Sequence, residues 1–330
     1  MIQQLHSLLE NNNSILITTH KSPDGDAIGS SVAWFEFVKN LGKRAFVLIP
    51  DEPSASLLPF LKDVDYLIFE KNEQQAIELL NDYQLLFCLD YNAKSRVGKN
   101  MEVIFEHYTG IKIMIDHHPN PEDFCELTIS RPNVCSTAQL LFDCISELEL
   151  INKLNVPAGN GIYLGILTDT GSFRFPSVNK STHLALAKLL EIGVEHYKIH
   201  EAIYDVNTMD RLRLRGYAIA EKLEIIPNLP IGFISLTLEE LNRFNYQKGD
   251  TEGLVNVVLS IEGMEIAALF MEHKDGIKIS FRSKGDYFVN EFSARNFEGG
   301  GHKYAAGGFS SETLNVTLSK FKSLVEELIP

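Results

Sequence analysis

The chain has 330 residues, and 30 lysines and arginines against 44 aspartates and glutamates give it a formal net charge of −14. Its 45% hydrophobic and 22% charged residues are typical of a globular protein with a packed core. The length predicts about two domains, because single cores rarely grow to this size. The negative charge disfavours a duplex DNA partner but leaves room for a small phosphorylated ligand.

The sequence also argues against a membrane protein and against a disulfide or zinc framework. Its apolar runs are far shorter than the roughly 20 residues of a membrane-spanning helix, and residues 1–10 lack the basic start of a secretory signal. None of the four cysteines forms a C-x-x-C pair, which favours reduced, buried thiols. We therefore predict a cytoplasmic protein with no membrane partner.

The N-terminal part alternates predicted strands with predicted helices. Short apolar, β-branched runs predict strands, and apolar residues at helical spacing predict helices. The predicted strands are residues 14–19, 44–49, 84–89 and 111–115, and the predicted helices are residues 28–41, 73–80 and 137–148. This alternation predicts an α/β fold in which helices cover both faces of a mostly parallel sheet.

The pattern changes towards the C-terminus. Helices are predicted at residues 184–193 and 196–223, then strands at residues 231–238, 253–261, 265–272 and 278–282, and helices at residues 289–297 and 314–328. We predict a first domain at residues 1–190, a helical linker at residues 191–227, and a smaller α/β domain at residues 228–330, with a cleft between the two domains.

Aspartates and histidines cluster where the predicted strands end. The carboxyl ends of parallel strands form the edge at which α/β sheets bind ligands, so these side chains are expected to converge there. The cluster comprises His20, Asp24, Asp26, Asp90, Asp116, His117, His118 and, after an apolar helical stretch, Asp169.

This set of ligand types predicts a site for two divalent metal ions. A single aspartate after a strand is commonly a helix cap, but three adjacent polar residues, Asp116, His117 and His118, are poorly explained by core packing. Carboxylate and imidazole donors without thiolate suit Mn²⁺ or Mg²⁺. Asp90 is the natural bridging ligand, since an anion between two cations offsets their repulsion. Such a metal pair produces hydroxide near neutral pH for attack on a phosphoryl group.

These motifs together resemble the DHH phosphoesterase superfamily with its DHH-associated C-terminal domain. The resemblance rests on His20-x3-Asp24-x-Asp26, Asp90, Asp116-His-His118, Asp169 and Gly299-Gly-Gly-His302-x-x-Ala-Ala-Gly307, in this order along nearly the whole chain. Within the superfamily, the length and the C-terminal glycine motif resemble the nanoRNase/pAp-phosphatase (NrnA-type) branch.

The resemblance implies roles for the clustered residues. One Mn²⁺ would be held by His20, Asp24 and Asp90, and the second by Asp26, Asp90, His117 and Asp169. Asp116 would orient a neighbouring histidine. His118 would contact the substrate phosphate or the leaving oxygen, so Asp90, Asp116 and His118 are the predicted catalytic residues.

A second set of residues is predicted to bind substrate. Glycine backbone N–H groups can approach an anion closely, and arginine matches a phosphate bidentately. By the resemblance, Arg282 and Ser283 would hold the nucleotide. The full set is Gly299, Gly300, Gly301, His302, Arg282, Ser283, Arg96 and Arg174. Solvated surface charge is the competing explanation for the arginines.

The resemblance implies a Mn²⁺-dependent enzyme that hydrolyses short RNA, 3′-phosphoadenosine 5′-phosphate, or both. The alternatives within the superfamily are hydrolases of linear or cyclic dinucleotides, pyrophosphate or polyphosphate. A nucleotide-binding regulator without catalysis is the alternative from another class. A homodimer is compatible with the sequence.

Overall fold

The structure is a computed structural model, and it describes residues 1–329. The chain divides into two compact units, one comprising Met1–Val206 and the other beginning at Asn207. The predicted linker at residues 191–227 is thus divided between the two units. Among the described residues, no helix is both long and apolar enough to cross a membrane.

The first unit is built on a six-stranded sheet in which every pairing is parallel, in the order β3-β2-β1-β4-β5-β6. Its strands are β1 (Ser14–Thr18), β2 (Arg44–Ile49), β3 (Tyr66–Ile68), β4 (Leu85–Leu89), β5 (Ile111–Asp116) and β6 (Leu127–Ser130). The predicted α/β class with a parallel sheet is confirmed. The short strands β3 and β6 were not predicted.

Within residues 1–206, eight α-helices precede, connect or follow these strands. They are α1 (Ile2–Asn11), α2 (Gly25–Asn40), α3 (Glu73–Leu79), α4 (Ile104–His107), α5 (Thr137–Glu147), α6 (Val156–Asp169), α7 (Lys180–Ile192) and α8 (His196–Tyr204). Alternate residues of β1 enter different core clusters, with Ile15 and Ile17 in one and Leu16 in the other. Both faces of the sheet are therefore buried, as parallel sheets require.

Helices α2 and α6 approach each other through glycines. A Cβ atom on Gly29 would lie 2.5 Å from the carbonyl oxygen of Gly161 and 2.7 Å from the nitrogen of Gly165. Real side chains do not tolerate such distances, so the backbones can pack this closely only without side chains. This contact sets the distance between two helices that carry acidic residues.

The second unit contains a mixed sheet in the order β11-β12-β10-β9-β8-β7, whose only parallel pairing among the described strands is β8 with β9. The strands are β7 (Leu223–Ile225), β8 (Ile231–Leu236), β9 (Ile266–His273), β10 (Gly276–Ser283), β11 (Gly300–His302) and β12 (Ala305–Ser310). The helices are α9 (Met209–Glu221), α10 (Leu238–Arg243), α11 (Leu254–Leu259), α12 (Asn290–Asn296) and α13 (Leu314–Leu324). An aromatic core includes Phe233, Phe270, Phe281 and Phe321.

The strand predicted at residues 253–261 is wrong, because this segment forms α11. Its β-branched residues favoured a strand. However, Leu254, Val255 and Val258 are buried at helical spacing, and Gly253 begins the helix with φ +75°. The parallel pairing of β8 with β9 requires a crossover connection, and α10 and α11 supply it.

The single helix predicted at residues 196–223 is also wrong. Helix α8 ends at Tyr204, and α9 begins after Thr208, whose side chain accepts a hydrogen bond from the Arg211 N–H at 3.0 Å. A threonine that caps the new helix favours this break over a continuous helix. The boundary between the two units falls within the break.

Gly29→Ala should destabilise the protein by about 1–3 kcal/mol, because a methyl group would be forced against the backbone of α6. Gly216→Ala is the matched control, since a Cβ there meets nothing within 4 Å, and it should be neutral or stabilise by up to about 1 kcal/mol. Urea unfolding of both variants measures the difference. Equal effects would contradict the close packing of α2 on α6.

Glu240 is expected to make stability depend on pH. Burial alone would raise the pKa of Glu240, but hydrogen bonds from Lys222, Thr237 and Tyr217 outweigh it and lower the pKa from 4.5 to about 2. The stabilisation is therefore complete above pH 4.5 and is lost as the pH falls towards 2. Glu240→Gln should be less stable than the parent at neutral pH, and urea unfolding should show this difference shrinking in acid. A difference independent of pH would show that the hydrogen bonds do not favour the ionised form of Glu240.

Candidate metal centre

The first unit brings the predicted cluster together at the carboxyl edge of its sheet. His20 follows β1, Asp90 follows β4, and Asp116 ends β5. The start of α2 contributes Asp24 and Asp26, the residues after β5 contribute His117 and His118, and the last residue of α6 is Asp169. All eight predicted residues of this cluster therefore lie in one region of the fold.

Asp90 lies at the centre of the cluster and is buried. Its Oδ2 atom is 3.5 Å from His20 Nε2, and its Oδ1 atom is 3.7 Å from His117 Nε2 and 3.8 Å from His118 Nδ1. One carboxylate thus faces histidines on two sides. This is the arrangement expected of a ligand shared between two cations.

The backbone at Asp90 adopts a left-handed conformation, with φ +65°. Aspartate tolerates this region better than most residues, but it remains uncommon and is enriched at functional sites. The next residue, Tyr91, is buried, and its hydroxyl lies 2.7 Å from Thr18 Oγ1 on β1. Tyr91 therefore anchors the turn that directs the Asp90 carboxylate into the cluster.

Two groups of possible metal ligands share Asp90. In the first group, ligand atoms of His20, Asp24 and Asp90 lie within 4.8 Å of one another, and in the second group those of Asp26, Asp90 and His117 do so. Asp169 Oδ2 lies 3.5 Å from His117 Nε2, next to the second group. Asp90 also forms such a group with Asp116 and His118.

All three histidines of the cluster have their Nδ1 atom next to an oxygen acceptor. His20 Nδ1 donates to the Lys21 carbonyl at 2.9 Å, His117 Nδ1 to the Val134 carbonyl at 3.3 Å, and His118 Nδ1 to Asp116 Oδ1 at 2.7 Å. These bonds fix the tautomer and turn Nε2 of His20 and His117 towards the carboxylates. Such a second hydrogen bond is typical of metal-binding histidines.

Backbone groups hold Asp24 and Asp26, the two acidic residues at the start of α2. Asp24 caps the helix by accepting from the N–H groups of Asp26 and Ala27, each at 3.0 Å. Asp26 accepts from the N–H groups of Thr137 at 2.6 Å and Ala138 at 2.9 Å, at the start of α5. The absence of a side chain at Gly165 makes room for the Asp26 carboxylate, since a Cβ there would overlap Asp26 Oδ1.

Two carboxylates of the cluster have raised pKa values, which indicates that negative charge is crowded around them, whereas at Asp90 the neighbouring histidines outweigh burial and lower the pKa. Burial and then the neighbouring carboxylates Asp90, Asp169 and Asp24 raise the pKa of Asp26 well above its ordinary value. Burial, together with Asp24 and Asp90, raises the pKa of Asp169 to about 7 despite the opposing charge of His117. A bound cation would relieve this repulsion.

The donor set fits a hard divalent metal ion. The possible ligand groups that contain Asp90 each combine carboxylate oxygens with imidazole nitrogens, and none of them includes a thiolate. Such donors suit Mn²⁺ or Mg²⁺. The cysteines are free, and three of the four are buried.

The predicted substrate residues lie in both units. Arg96 follows β4 and is exposed, and its backbone carbonyl accepts from the Lys21 N–H at 2.7 Å. Arg174 is exposed and donates to the Gly171 carbonyl at 2.9 Å. In the second unit, Arg282 and Ser283 end β10, and Ser283 Oγ donates to the Tyr287 carbonyl at 2.7 Å.

The glycine motif forms part of a β-hairpin rather than a loop. Gly300, Gly301 and His302 make up β11, which pairs with β12. Gly299 packs against the backbone of Gly307 and Gly308 so closely that a Cβ would overlap them. The glycines thus allow two stretches of backbone to lie in direct contact.

Sequence reasoning missed the contribution of residues 134–138. From the sequence, this segment is recognisable only as the start of a helix, because Ser136 is a typical N-cap residue. In the structure, Thr137 Oγ1 also donates to Asp90 Oδ1 at 2.8 Å. A hydroxyl residue beside a cap gives no signal in the sequence that distinguishes this contact.

A parallel sheet with aspartates and histidines gathered at its carboxyl edge defines a metal-dependent hydrolase. The chain belongs to the DHH family: the DHH family N-terminal domain matches residues 14–189, and the DHHA1 domain matches residues 232–329.

Relatives match over nearly the whole chain. The bifunctional oligoribonuclease and PAP phosphatase NrnA of Bacillus subtilis is 26% identical, with 96% of both chains covered. The protein of the same name from Thermus thermophilus is 30% identical, with 89% of this chain and 83% of the relative covered. The crystal structure of an exopolyphosphatase-related protein from Bacteroides fragilis is 35% identical, with a TM-score of 0.93 and coverage of 99% of this chain and 95% of that chain.

Asp169→Asn should stabilise the metal-free protein at pH 8 but weaken its stabilisation by Mn²⁺. The raised pKa of Asp169 means that its ionised form is unfavourable in the folded state, and partial exposure limits the gain to about 1 kcal/mol. Thermal and urea unfolding with EDTA or with Mn²⁺ measure both effects.

Asp143→Asn is the matched control for this experiment. Burial raises the pKa of Asp143 to about 6, but Asp143 belongs to none of the possible ligand groups found in residues 1–329. The control should keep the full stabilisation by Mn²⁺. An Asp169→Asn variant that also keeps it would exclude Asp169 as a ligand.

Proposed function

We propose that the protein is a Mn²⁺-dependent phosphoesterase that hydrolyses short oligoribonucleotides to mononucleotides and 3′-phosphoadenosine 5′-phosphate to AMP. The observation that carries the proposal is the position of Asp90 between two groups of possible metal ligands. The substrate class is supported by the name and the full-length match of the NrnA relatives. Free thiols at all four cysteines suit action in the reducing cytoplasm.

In this proposal, the first unit holds two metal ions. The first ion would be bound by His20, Asp24 and Asp90, and the second by Asp26, Asp90, His117 and Asp169. Bound there, divalent ions supply Lewis acidity, which neutralises charge on phosphoryl oxygens and makes water acidic enough to ionise near neutral pH. Mg²⁺ is the alternative ion, since it accepts the same oxygen donors.

His118 is proposed to act on the substrate, with Asp116 as its partner. Asp116 accepts from both His118 Nδ1 at 2.7 Å and the His118 backbone N–H at 3.1 Å. These two bonds fix the plane of the imidazole, and in the proposal its Nε2 atom contacts a phosphoryl oxygen. From that position the imidazole can also donate a proton to the oxygen that leaves when the P–O bond breaks.

Cationic and glycine residues are proposed to bind the nucleotide. Arg282, Ser283 and the segment Gly299, Gly300, Gly301 and His302 would contact the phosphate or sugar, with Arg96 and Arg174 as further phosphate-binding residues. Arginine contributes paired N–H donors of fixed geometry. Tyr304 is partly exposed and suited to stacking on a base, whereas Tyr91 is buried.

The test is hydrolysis by the full chain with Mn²⁺ of short RNA, short DNA, long single-stranded RNA, 3′-phosphoadenosine 5′-phosphate, pyrophosphate and a cyclic dinucleotide. We expect short RNA and 3′-phosphoadenosine 5′-phosphate to be preferred. Asp90→Asn should reduce turnover by at least about 100-fold, because it weakens both ligand groups. Asp143→Asn should leave turnover unchanged.

Other preferences would correct the proposal in defined ways. Preference for pyrophosphate, a cyclic dinucleotide or long RNA would contradict the proposed substrate class, but it would support the assignment of the protein as a hydrolase. No turnover of any compound, with nucleotide binding intact, would overturn the catalytic function in favour of a regulator.

A further inference from the structure

Residues 134–138, which we call the ordering segment, contact three of the candidate ligands at once. The segment includes the first two residues of α5. The Val134 carbonyl accepts from His117 Nδ1 at 3.3 Å, the Thr137 and Ala138 N–H groups donate to Asp26 at 2.6 and 2.9 Å, and Thr137 Oγ1 donates to Asp90 Oδ1 at 2.8 Å.

Only one of these contacts involves a side chain of the segment. The carbonyl of Val134 and the two N–H groups would be present with any non-proline residues in the same backbone conformation. The bond to Asp90 requires a hydroxyl at position 137. Thr137 is therefore the residue at which the contribution of the segment can be tested chemically.

The Thr137 hydroxyl is not needed to cap the helix. Ser136 already caps α5, since its hydroxyl accepts from the Gln139 N–H at 3.0 Å. Thr137 is fully buried, and burying a hydroxyl is costly unless it forms a hydrogen bond. Packing alone would favour valine, which has nearly the same shape, so the bond to Asp90 explains the hydroxyl.

The bond limits rotation of the Asp90 carboxylate. Thr137 holds Asp90 Oδ1, which is the oxygen that faces His117. The other oxygen, Asp90 Oδ2, therefore faces His20. We infer that Thr137 is a positioning residue that fixes the Asp90 carboxylate so that each oxygen faces one metal position. This inference rests on the metal centre in the proposed function, and it assigns a role to a residue outside the proposed ligand set.

The experiment compares Thr137→Val, which removes the hydroxyl at constant shape, with Thr137→Ser, which keeps it. Isothermal titration of the metal-free full chain with Mn²⁺ gives the affinity without any substrate. Removing a partner that orients a ligand typically weakens metal binding about 10- to 100-fold. We expect that loss in Thr137→Val and recovery to within about threefold of the parent in Thr137→Ser.

Thr317→Val is the control for loss of a buried hydroxyl away from the centre. Thr317 lies on α13 of the second unit, is fully buried, and its Oγ1 donates to Ser310 Oγ at 2.9 Å. It should lower the melting temperature in EDTA without changing the affinity for Mn²⁺. Should Thr137→Val not fold, Thr137→Ala against Thr137→Ser provides the same comparison.

Parental affinity in Thr137→Val, or equal losses in the valine and serine variants, would overturn the inference. If the parent binds Mn²⁺ but does not cleave RNA, the proposed substrate fails while the role of Thr137 is still decided by the titration. A parent that binds no Mn²⁺ would overturn both the metal centre and the inference.

Discussion

The balance between repulsion among clustered carboxylates and attraction from the neighbouring histidines is the constraint on which the organisation of the first unit depends. Asp26 and Asp90 are buried close to each other, with Asp24 and Asp169 nearby. Gathering like charges away from water opposes folding. The cluster is held together by N–H groups from α5, by imidazoles, and by the strained but anchored turn at Asp90. Much of the local backbone therefore serves to hold the carboxylate oxygens of the cluster close together against their repulsion.

The parallel sheet supplies the frame for this arrangement. Strands β1, β4 and β5 are neighbours, so the residues that follow them meet at one edge although they are far apart in sequence. The helices complete the ring from outside the sheet, with Asp26 near the start of α2 and Asp169 at the end of α6. The carboxylates thus come from both strands and helices, and their spacing depends on how the helices pack as well as on strand register.

The sequence predicts those features that depend on residue type and order. The alternation of strands and helices predicts the parallel sheet, and the convergence at its edge follows because Asp90 and the pair His117 and His118 come directly after apolar strands. Residues 253–261 show the limit, because their β-branched composition favours a strand while the chain needs a crossover helix there. Thr137 was missed for a similar reason: its importance comes from a partner 47 residues away, which local patterns do not contain.

The glycines between α2 and α6 have a consequence for how the metal centre can vary. Gly29, Gly161 and Gly165 allow the backbones of α2 and α6 to touch. The distance between the two helices therefore sets the distance between the carboxylates that they carry. A larger residue at Gly29 or Gly161 would push the helices apart and lengthen this span without touching any proposed ligand. The positions of the carboxylates thus depend on residues that have no side chain, as well as on the residues that carry the acidic groups.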